Sequence, residues 1–549
     1  MNQLLSRPLT YIVLLAFIVL GGWISFLPVR IAQDFQSVLQ QQMGRSITVG
    51  DSRYSFSPQF GIALQNVDVA GTSSLTETVF HADTVFAPVS AWQLLVGETS
   101  PQSLIADGAD IHVAFDGVGH TNVFAGQSPK ATAPFHLQLT NSSFHYFDER
   151  SGDQFVLEQI SGITDVSGEG EIRSAGTAVV NGQFINFDAT LASLERAFSD
   201  GSPFDLTVDG VASSFLFSGR VATAKRLNLS GQADMSTSDA PRLAKWLGVN
   251  VSALTNLKNM SLNGGLDSDG PVMLLKAATL KLGDMAGKGE VSFSNAGERP
   301  NITAALNFEN LDLNLFRSQA PASENWSEKP IDFSELNSLD MQFRLLANTL
   351  TYNGLKTGAA AIEGSLKNRV LIAALNSQDV AGGAGQINLN LDATQLPPNL
   401  KLDVSLANVA AKPVLAALSD QNYLSGAFNF ESHFTASGSS QAEMISTLSG
   451  DATASVENGA ISGADLSTLA TRPVDGWNGG QTPSLKGQMQ FKVSEGVATL
   501  GENQLDGAGV SLHTEGEIDL LRKALDLTTG SDVKVKIQGP WGKPTFTPQ

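Results

Sequence analysis

Apolar and polar residues alternate along much of the chain. The clearest runs are QINLNLD from Gln386, AFNFESHF from Ala427, GQMQFKV from Gly487 and DVKVKIQG from Asp532. A period of two puts every second side chain on the same face, so each run predicts a strand with one apolar and one wetted face. Antiparallel sheets tolerate a wetted face, whereas parallel sheets are usually covered on both. The pattern therefore predicts a mainly β protein with antiparallel pairing.

Turn signals divide these runs at short intervals. The chain contains 52 glycines, and the Asn-Gly pairs at 181, 263, 353 and 458 are among its hairpin signals. The glycine-rich stretch 382–385 is interpreted as a turn, because it lacks the strand-to-helix setting of a dinucleotide loop. Helices are predicted to be few and brief, at 29–43, 90–96, 241–247, 409–418 and 441–448.

The apolar faces of three runs supply the candidate site residues. Such a face must be buried, either against a second sheet in a sandwich or inside a sheet that curls into a half-pipe. Alternation alone does not separate these two arrangements. Phenylalanine suits a dry interior because it has no polar atom that needs a partner, and the chain has 29 Phe against 5 Tyr and 6 Trp. The residues expected to line the groove or core are Phe428, Phe430, Phe434, Met489, Phe491, Val493, Val533, Val535 and Ile537.

The N-terminal segment predicts a membrane anchor. Residues 9–27 read LTYIVLLAFIVLGGWISFL, without a charge, and a helix of this length nearly spans a hydrocarbon core of about 30 Å. A cleaved signal peptide is the rival interpretation, but its apolar stretch would be shorter and would end in a small-x-small site. We expect residues 1–28 to form a retained single-pass anchor. Arg7 before the segment favours a cytoplasmic N-terminus.

Charge and composition exclude several classes of partner and chemistry. The net charge is -20, and charged residues make up 16% of the chain. Nucleic-acid-binding surfaces are basic, and so are surfaces that dock broadly on anionic lipid head groups. The absence of cysteine fits an exported chain and excludes thiolate metal sites and cysteine nucleophiles.

No catalytic, cofactor or metal motif stands out in the sequence. The chain has no HExxH, no GxSxG and no Walker-type glycine loop. Its histidines, at 81, 112, 120, 136, 145, 433 and 513, are scattered over mostly polar positions, and the sequence names no third ligand for a zinc site. Tyr146 and Asp148 are interpreted as a strand-end hydrogen bond. We therefore expect no enzyme activity, no cofactor and no metal.

A softer passage separates two β regions. Residues 318–334 mix proline with serine, glutamate and asparagine around Trp326, which predicts a linker or loop. It would divide an N-terminal β body at 29–317 from a C-terminal β domain at 335–549.

Short motifs in a shared order resemble the AsmA-like proteins of Gram-negative bacteria. Each motif alone is weak, but their order holds over almost the whole chain, and the C-terminal ones are the most specific. The N-terminal and central pieces are Gly44-Arg45, Ser57-Pro58, Gly61-Ile62-Ala63-Leu64, Ala82-Asp83, 92–97, Asn122, 144–148, Arg299-Pro300, Leu311-Asp312-Leu313 and Trp326 before 330–333. The C-terminal pieces are Leu424-Ser425-Gly426, Leu448-Ser449-Gly450, 458–466, 516–520 and 537–541.

The resemblance implies an inner-membrane-anchored periplasmic protein of outer-membrane biogenesis. Larger relatives are similar to bridge-like lipid transfer proteins, in which a curled β-sheet forms a groove lined with apolar side chains. The implied partners are phospholipid or acyl chains, the bacterial inner membrane and outer-membrane assembly factors. The alternative is a periplasmic scaffold that regulates the assembly or targeting of outer-membrane proteins without carrying lipid.

Overall fold

The structure, a computed structural model, is mainly β, which confirms the fold class predicted from the alternation. It describes residues 33, 37, 46–56, 59–71, 78–90, 103–118, 120–122, 134–150, 152–223, 226–248, 257–316, 325–419, 423–463, 465, 474–475, 480–507, 510–530 and 534–549. These residues fall into two compact units. Unit 1 lies within Met1–Ser238 and Asn263–Leu274, and unit 2 within Asp239–Leu262 and Leu275–Gln549.

Unit 1 is a sheet whose strands follow one another in chain order. Adjacent strands pair antiparallel from β1 to β4 and again from β5 to β11. The elements are β1 (Ile47–Ser55), β2 (Gly61–Ala70), β3 (Thr78–Pro88), β4 (Ser103–Phe115), β5 (Phe135–Asp148), β6 (Asp153–Val166), β7 (Ile172–Val180), β8 (Gln183–Leu191), α1 (Leu194–Ala197), β9 (Ser202–Gly210), β10 (Ser213–Ala222) and β11 (Asn228–Thr237). β12 (Met260–Asp269) and β13 (Val272–Leu282) contribute residues to both units.

In unit 2, as in unit 1, strands that are close in sequence pair with one another. These pairings join β14 to β30 in one sheet. Its elements are α2 (Ala240–Trp246), β14 (Met285–Ser294), β15 (Asn301–Asp312), 3-10 helices at Leu313–Phe316 and Phe333–Asn337, β16 (Asp340–Tyr352), β17 (Leu355–Thr357), β18 (Ala360–Lys367), β19 (Val370–Val380), β20 (Gly383–Asp392), β21 (Asn399–Ala410), α3 (Ala411–Ser419), β22 (Leu424–Ser437), α4 (Gln441–Ser446), β23 (Ser449–Gly463), β24 (Val474–Asp475), β25 (Gly480–Ser494), β26 (Val497–Gly507), β27 (Val510–Asp519), β28 (Ala524–Gly530), β29 (Lys534–Pro540) and β30 (Thr545–Pro548).

Two steps in these sheets are parallel, which corrects the expectation of purely antiparallel pairing. β4 pairs in parallel with β5, and β15 with β16. Parallel neighbours cannot be joined by a tight hairpin, because the chain must return to the same end of the sheet. The connections 116–134 and 313–339 are accordingly much longer than a tight turn. The alternation pattern carries no sign of strand direction.

The predicted helices in the described part of the chain form close to their predicted bounds. The segments 241–247, 409–418 and 441–448 correspond to α2, α3 and α4. Side chains cap two of them: Asp239 accepts a hydrogen bond from Arg242 N, and Ser440 accepts one from Glu443 N. The predicted helices 29–43 and 90–96 lie outside the described residues, except for residues 33 and 37, which are helical, and Ser90, which is not.

Two of the four Asn-Gly pairs named above mark turns. Asn181-Gly182 and Asn353-Gly354 have positive φ at both residues, as a tight hairpin turn requires. The Asn-Gly pairs at 263 and 458 instead lie inside β12 and β23, where Asn458 has φ 49° beside an irregularity in the β23–β25 register. The predicted turn at 382–385 forms only at Gly382, with the later glycines in β20.

Among the residues that the structure describes, no helix is long and apolar enough to cross a membrane. Residues 9–27 lie outside that part of the chain. The anchor therefore stays a prediction from the sequence.

Candidate functional site

Strands β22, β23 and β25 bring most of the predicted site residues to one face of unit 2. Phe434 pairs with Gly450 of β23, and Gly450 pairs with Val493 of β25. Phe430 is joined in the same way to Met489, through Ala454. Residues that pair across strands share a face of the sheet, so these side chains form adjacent apolar rows.

The same face continues towards the C-terminus. Val493 pairs with Ala498, Ala498 with Ile518, and Ile518 with Leu525 of β28. Two residues further along β28, Leu527 pairs with Ile537. Val535 occupies the next position on this face of β29, whereas Val533 lies outside the described residues. We call this surface the unit 2 apolar face; it carries Phe428, Phe430, Phe434, Met489, Phe491, Val493, Val535 and Ile537.

The unit 2 apolar face is only partly covered. Phe428, Val493 and Val535 are buried, but the larger side chains between them are half-buried, namely Phe430, Phe434, Met489, Phe491 and Ile537. The strand β21 shows the same pattern, with Leu400, Leu402, Val404 and Leu406 half-buried between exposed polar residues. Core residues facing a second sheet would be almost completely buried. The described strands of this unit thus fit a single curved layer better than a sandwich.

The opposite face is charged and solvated. Ion pairs cross neighbouring strands there, with Arg344 Nε 3.0 Å from Glu363 Oε1 and a lysine of β29, Lys536, paired with Asp526. His433 Nδ1 lies 2.8 Å from Asp403 Oδ1, and this hydrogen bond raises the pKa of His433 above its usual value. The two faces differ in chemistry along the whole length of these strands, as the alternation predicts.

The chain connection to β25 requires the sheet to curl. β24 pairs with β30 at the edge of the sheet, so β25 and β24 are separated by six strand-to-strand steps, through β26, β27, β28, β29 and β30. At about 4.8 Å per step, a flat sheet would place the two strands about 29 Å apart. Asp475 of β24 is only five residues before Gly480 of β25, and five extended residues span at most about 18 Å. The strand array therefore bends. We infer that its apolar side is the concave one, because side chains there are less exposed although no second sheet covers them among the described strands.

Helix α3 closes part of this face at one end of the strands. Its Ala411 and Val414 pack with Val409 and Phe428 in one buried cluster, and the half-buried Phe430 packs against that cluster. The helix is held from the other side by Asn353, whose side-chain amide donates to Ala417 O at 2.8 Å. The apolar face is thus capped near Phe428 and stays partly exposed further along the strands.

A short segment, residues 326–331 and here called the end strap, crosses the other end. The indole Nε1 of Trp326 donates to Leu520 O at 2.8 Å, and Lys523 Nζ lies 4.6 Å from the centre of the indole ring. Ile331 N donates to Ser439 O at 2.8 Å beside α4. The end strap therefore ties the β27–β28 turn to the end of β22. Whether 318–334 also separates two domains stays a prediction.

Replacing Trp326 tests the end strap. Trp326→Ala removes a hydrogen bond, a cation–π contact and half-buried aromatic area, and we expect the free energy of unfolding of unit 2 to fall by about 2 kcal/mol. Trp326→Phe keeps a ring over Lys523 and should cost only about 1 kcal/mol. Denaturant unfolding of the two variants measures the difference. Equal stability of the wild type and Trp326→Ala would show that the strap is not held by this residue.

Unit 1 has an apolar row that the sequence interpretation did not single out. Phe187 pairs with Val208, Val208 with Phe215, and Phe215 with Met235, across β8, β9, β10 and β11. All four side chains are half-buried. Their signal was present in the alternation of these strands, but it was less regular than in the C-terminal runs. Each unit by itself therefore presents a partly exposed apolar row on its sheet.

The predicted strand-end hydrogen bond at Tyr146 is present, at 3.4 Å from its hydroxyl to Asp148 Oδ2, within a stronger ion pair. Arg150 donates from Nε to Asp148 Oδ1 at 2.8 Å and from Nη2 to Oδ2 at 2.6 Å. Burial opposes ionisation of Asp148, but the hydrogen bonds from Arg150 outweigh it and hold the pKa of Asp148 below its usual value. Because Arg150 also lies over the Phe115 ring at 4.6 Å, this cluster fastens the end of β5 to β4.

Comparison with known proteins gives one match. Residues 288–501 match the model of the AsmA family, a range that runs from β14 into β26 and includes Phe430 and Phe491 of the unit 2 apolar face. No curated protein and no solved structure matches the chain. This match supports the resemblance to the AsmA family that the order of the short motifs indicated.

Proposed function

We propose that the protein is an inner-membrane-anchored periplasmic protein of outer-membrane biogenesis that shields or transfers phospholipid acyl chains. The observation that carries the proposal is the unit 2 apolar face, which is rich in Phe and only half-buried. Each methylene moved from water to such a surface contributes about 0.8 kcal/mol, so an acyl chain gains several kcal/mol by lying along it. The opposite, charged face would meet water.

The match of residues 288–501 to the AsmA family supports the outer-membrane part of the proposal. The match covers the strands that carry Phe428, Phe430, Phe434, Met489, Phe491 and Val493.

Lipid analysis of the purified protein tests this function. The full chain is extracted in a mild detergent, washed with that detergent and analysed by mass spectrometry after organic extraction. We expect phospholipid at about one molecule or more per chain, and a washed membrane protein of similar size provides the background. A lipid-free protein that crosslinks to outer-membrane assembly factors would contradict the proposal and favour the scaffold alternative.

The anchor is tested separately. Replacing residues 1–29 by a cleavable export signal should release a folded periplasmic body, which protease digestion of spheroplasts would locate outside the inner membrane. Loss of function with the body folded would show that tethering matters. A body that stays in the cytoplasmic membrane without residues 1–29 would contradict the predicted anchor.

A further inference from the structure

The parallel pairing of β4 with β5 brings together two histidines that are far apart in sequence. His112 of β4 pairs with His145 of β5, and Asp110 pairs with Ser143. Because residues that pair in a sheet project from the same face, Asp110, His112, Ser143 and His145 form one polar patch. It lies on the face opposite to Tyr146 and Ile111, which alternate with these residues along the two strands.

Both imidazoles point a nitrogen at the same carboxylate. His112 Nε2 lies 2.9 Å from Asp110 Oδ2, and His145 Nε2 lies 3.1 Å from Asp110 Oδ1. The rings are stacked, with centroids 4.5 Å apart and an interplanar angle of 4°. The three potential ligand atoms all lie within 4.8 Å of one another.

These separations are close to those of a metal site. Zinc binds His nitrogen and carboxylate oxygen at about 2.0–2.2 Å in tetrahedral geometry, which places neighbouring ligand atoms about 3.3–3.5 Å apart. The two Asp–His separations, which end on different oxygens of Asp110, would widen by a few tenths of an ångström, and the remaining separation lies within 4.8 Å. Each imidazole would then carry its proton on Nδ1 and present Nε2 as the ligand.

The surroundings suit an ion with an open position. The three side chains are between 33% and 41% exposed, so water can reach a fourth coordination position. Ser143 Oγ donates to Asp110 Oδ1 at 2.6 Å and orients the carboxylate, as outer hydrogen bonds do in known metal sites. On the neighbouring strand, His81 pairs with Asp110 in register, but its Nδ1 already lies 2.7 Å from Asp68 Oδ1.

We propose that Asp110, His112 and His145 bind one divalent transition-metal ion, with zinc as the favoured ion and water as the fourth ligand. Two neutral imidazoles and one carboxylate are a ligand set that zinc accepts, whereas calcium and magnesium require more oxygen ligands. The ion would clamp β4 to β5, which no tight turn joins. Binding to the folded state alone would stabilise unit 1 by mass action.

The chain offers a matched control for this site. His136 and Asp165 form a similar exposed pair, with Nδ1 and Oδ1 2.6 Å apart, on strands β5 and β6 of the same unit. Only Asp110, His112 and His145 form a cluster of three potential ligands among the residues that the structure describes. His136→Ala thus removes a histidine–aspartate pair without touching the proposed site.

Metal titration tests the proposal. The full chain in detergent is freed of metal with a chelator and titrated with Zn²⁺ by calorimetry and with Co²⁺ by visible absorption. We expect one ion per chain, a tetrahedral Co²⁺ spectrum, and a Zn²⁺ affinity that falls by about tenfold or more in His112→Ala and in His145→Ala. His136→Ala should bind like the wild type.

Thermal unfolding in the same samples gives a second readout. The melting temperature of the wild type should rise with Zn²⁺ concentration, and the rise should be absent in His112→Ala. Circular dichroism without metal shows whether that variant has kept its fold, and Ser143→Ala, which leaves all three ligands in place, should retain weakened binding. No binding by the folded wild type, or equal binding by the wild type and both histidine variants, would overturn the proposal.

Discussion

Replacing Met489 and Phe491 together by aspartate should abolish co-purification of phospholipid. Both side chains are half-buried on the unit 2 apolar face, and two carboxylates there would have to be desolvated beside every acyl chain. We expect the bound lipid per chain to fall by more than about tenfold, which needs a loss of only about 1.4 kcal/mol. Mass spectrometry of the lipid extract measures the change.

The same strand provides the control for this prediction. Gln488 and Gln490 are exposed and alternate with Met489 and Phe491 along β25. Replacing both glutamines by aspartate adds the same charge on the opposite face and should leave the bound lipid unchanged. If the apolar-face variant unfolds, the milder pair Met489→Gln and Phe491→Gln keeps the test usable. Equal lipid in the apolar-face and outer-face variants would contradict the assignment of the lipid to this face.

Replacing Asp148 by asparagine should destabilise unit 1 more than any exposed substitution described above. Asp148 is fully buried, and the change leaves the guanidinium of Arg150 without its counter-charge. Breaking a buried ion pair costs about 3–5 kcal/mol, which corresponds to a drop of about 10 °C in the melting temperature for a unit of this size. Asp165→Asn, at the exposed pair with His136, should cost about 1 kcal/mol or less. Similar losses in the two variants would contradict the structural role of Asp148.

The pH dependence of unit 1 follows from the same carboxylate. The pKa of Asp148 is lower in the folded state than its ordinary value of 3.8, so its contribution to stability is complete above that value. This contribution is lost as the pH falls through the lower, folded-state pKa. Melting temperatures measured between neutral and strongly acidic pH should therefore fall more steeply for the wild type than for Asp148→Asn. A parallel acid dependence in both proteins would rule out this linkage.

The strand faces could be predicted from the sequence because alternation is local. Phe428, Phe430 and Phe434 are separated by two and four residues within β22. Residues separated by an even number of positions lie on the same side of a strand. The alignment of Phe434 with Val493 could not be predicted. It depends on the register of β22, β23 and β25, which includes irregularities at 425–427 and 456–461.

Contacts between distant segments were beyond the sequence. No spacing rule in the sequence joins His112 and His145. The parallel β4–β5 register brings them to Asp110. The proline, serine and glutamate residues near Trp326 predict a linker there. In the structure its indole is bound to the β27–β28 turn, a contact with a residue nearly two hundred positions away. Composition reports local flexibility but not tertiary partners.

Site-specific photo-crosslinking tests the central claim most directly. A benzophenone side chain is introduced at Phe491 on the apolar face and, in a second protein, at Gln490 on the opposite face of β25. After irradiation in intact cells, intact-mass analysis of the purified protein detects any covalent adduct. The concave apolar face predicts phospholipid adducts at Phe491 and none at Gln490. Phospholipid adducts at both positions, or protein adducts alone at Phe491, would contradict it.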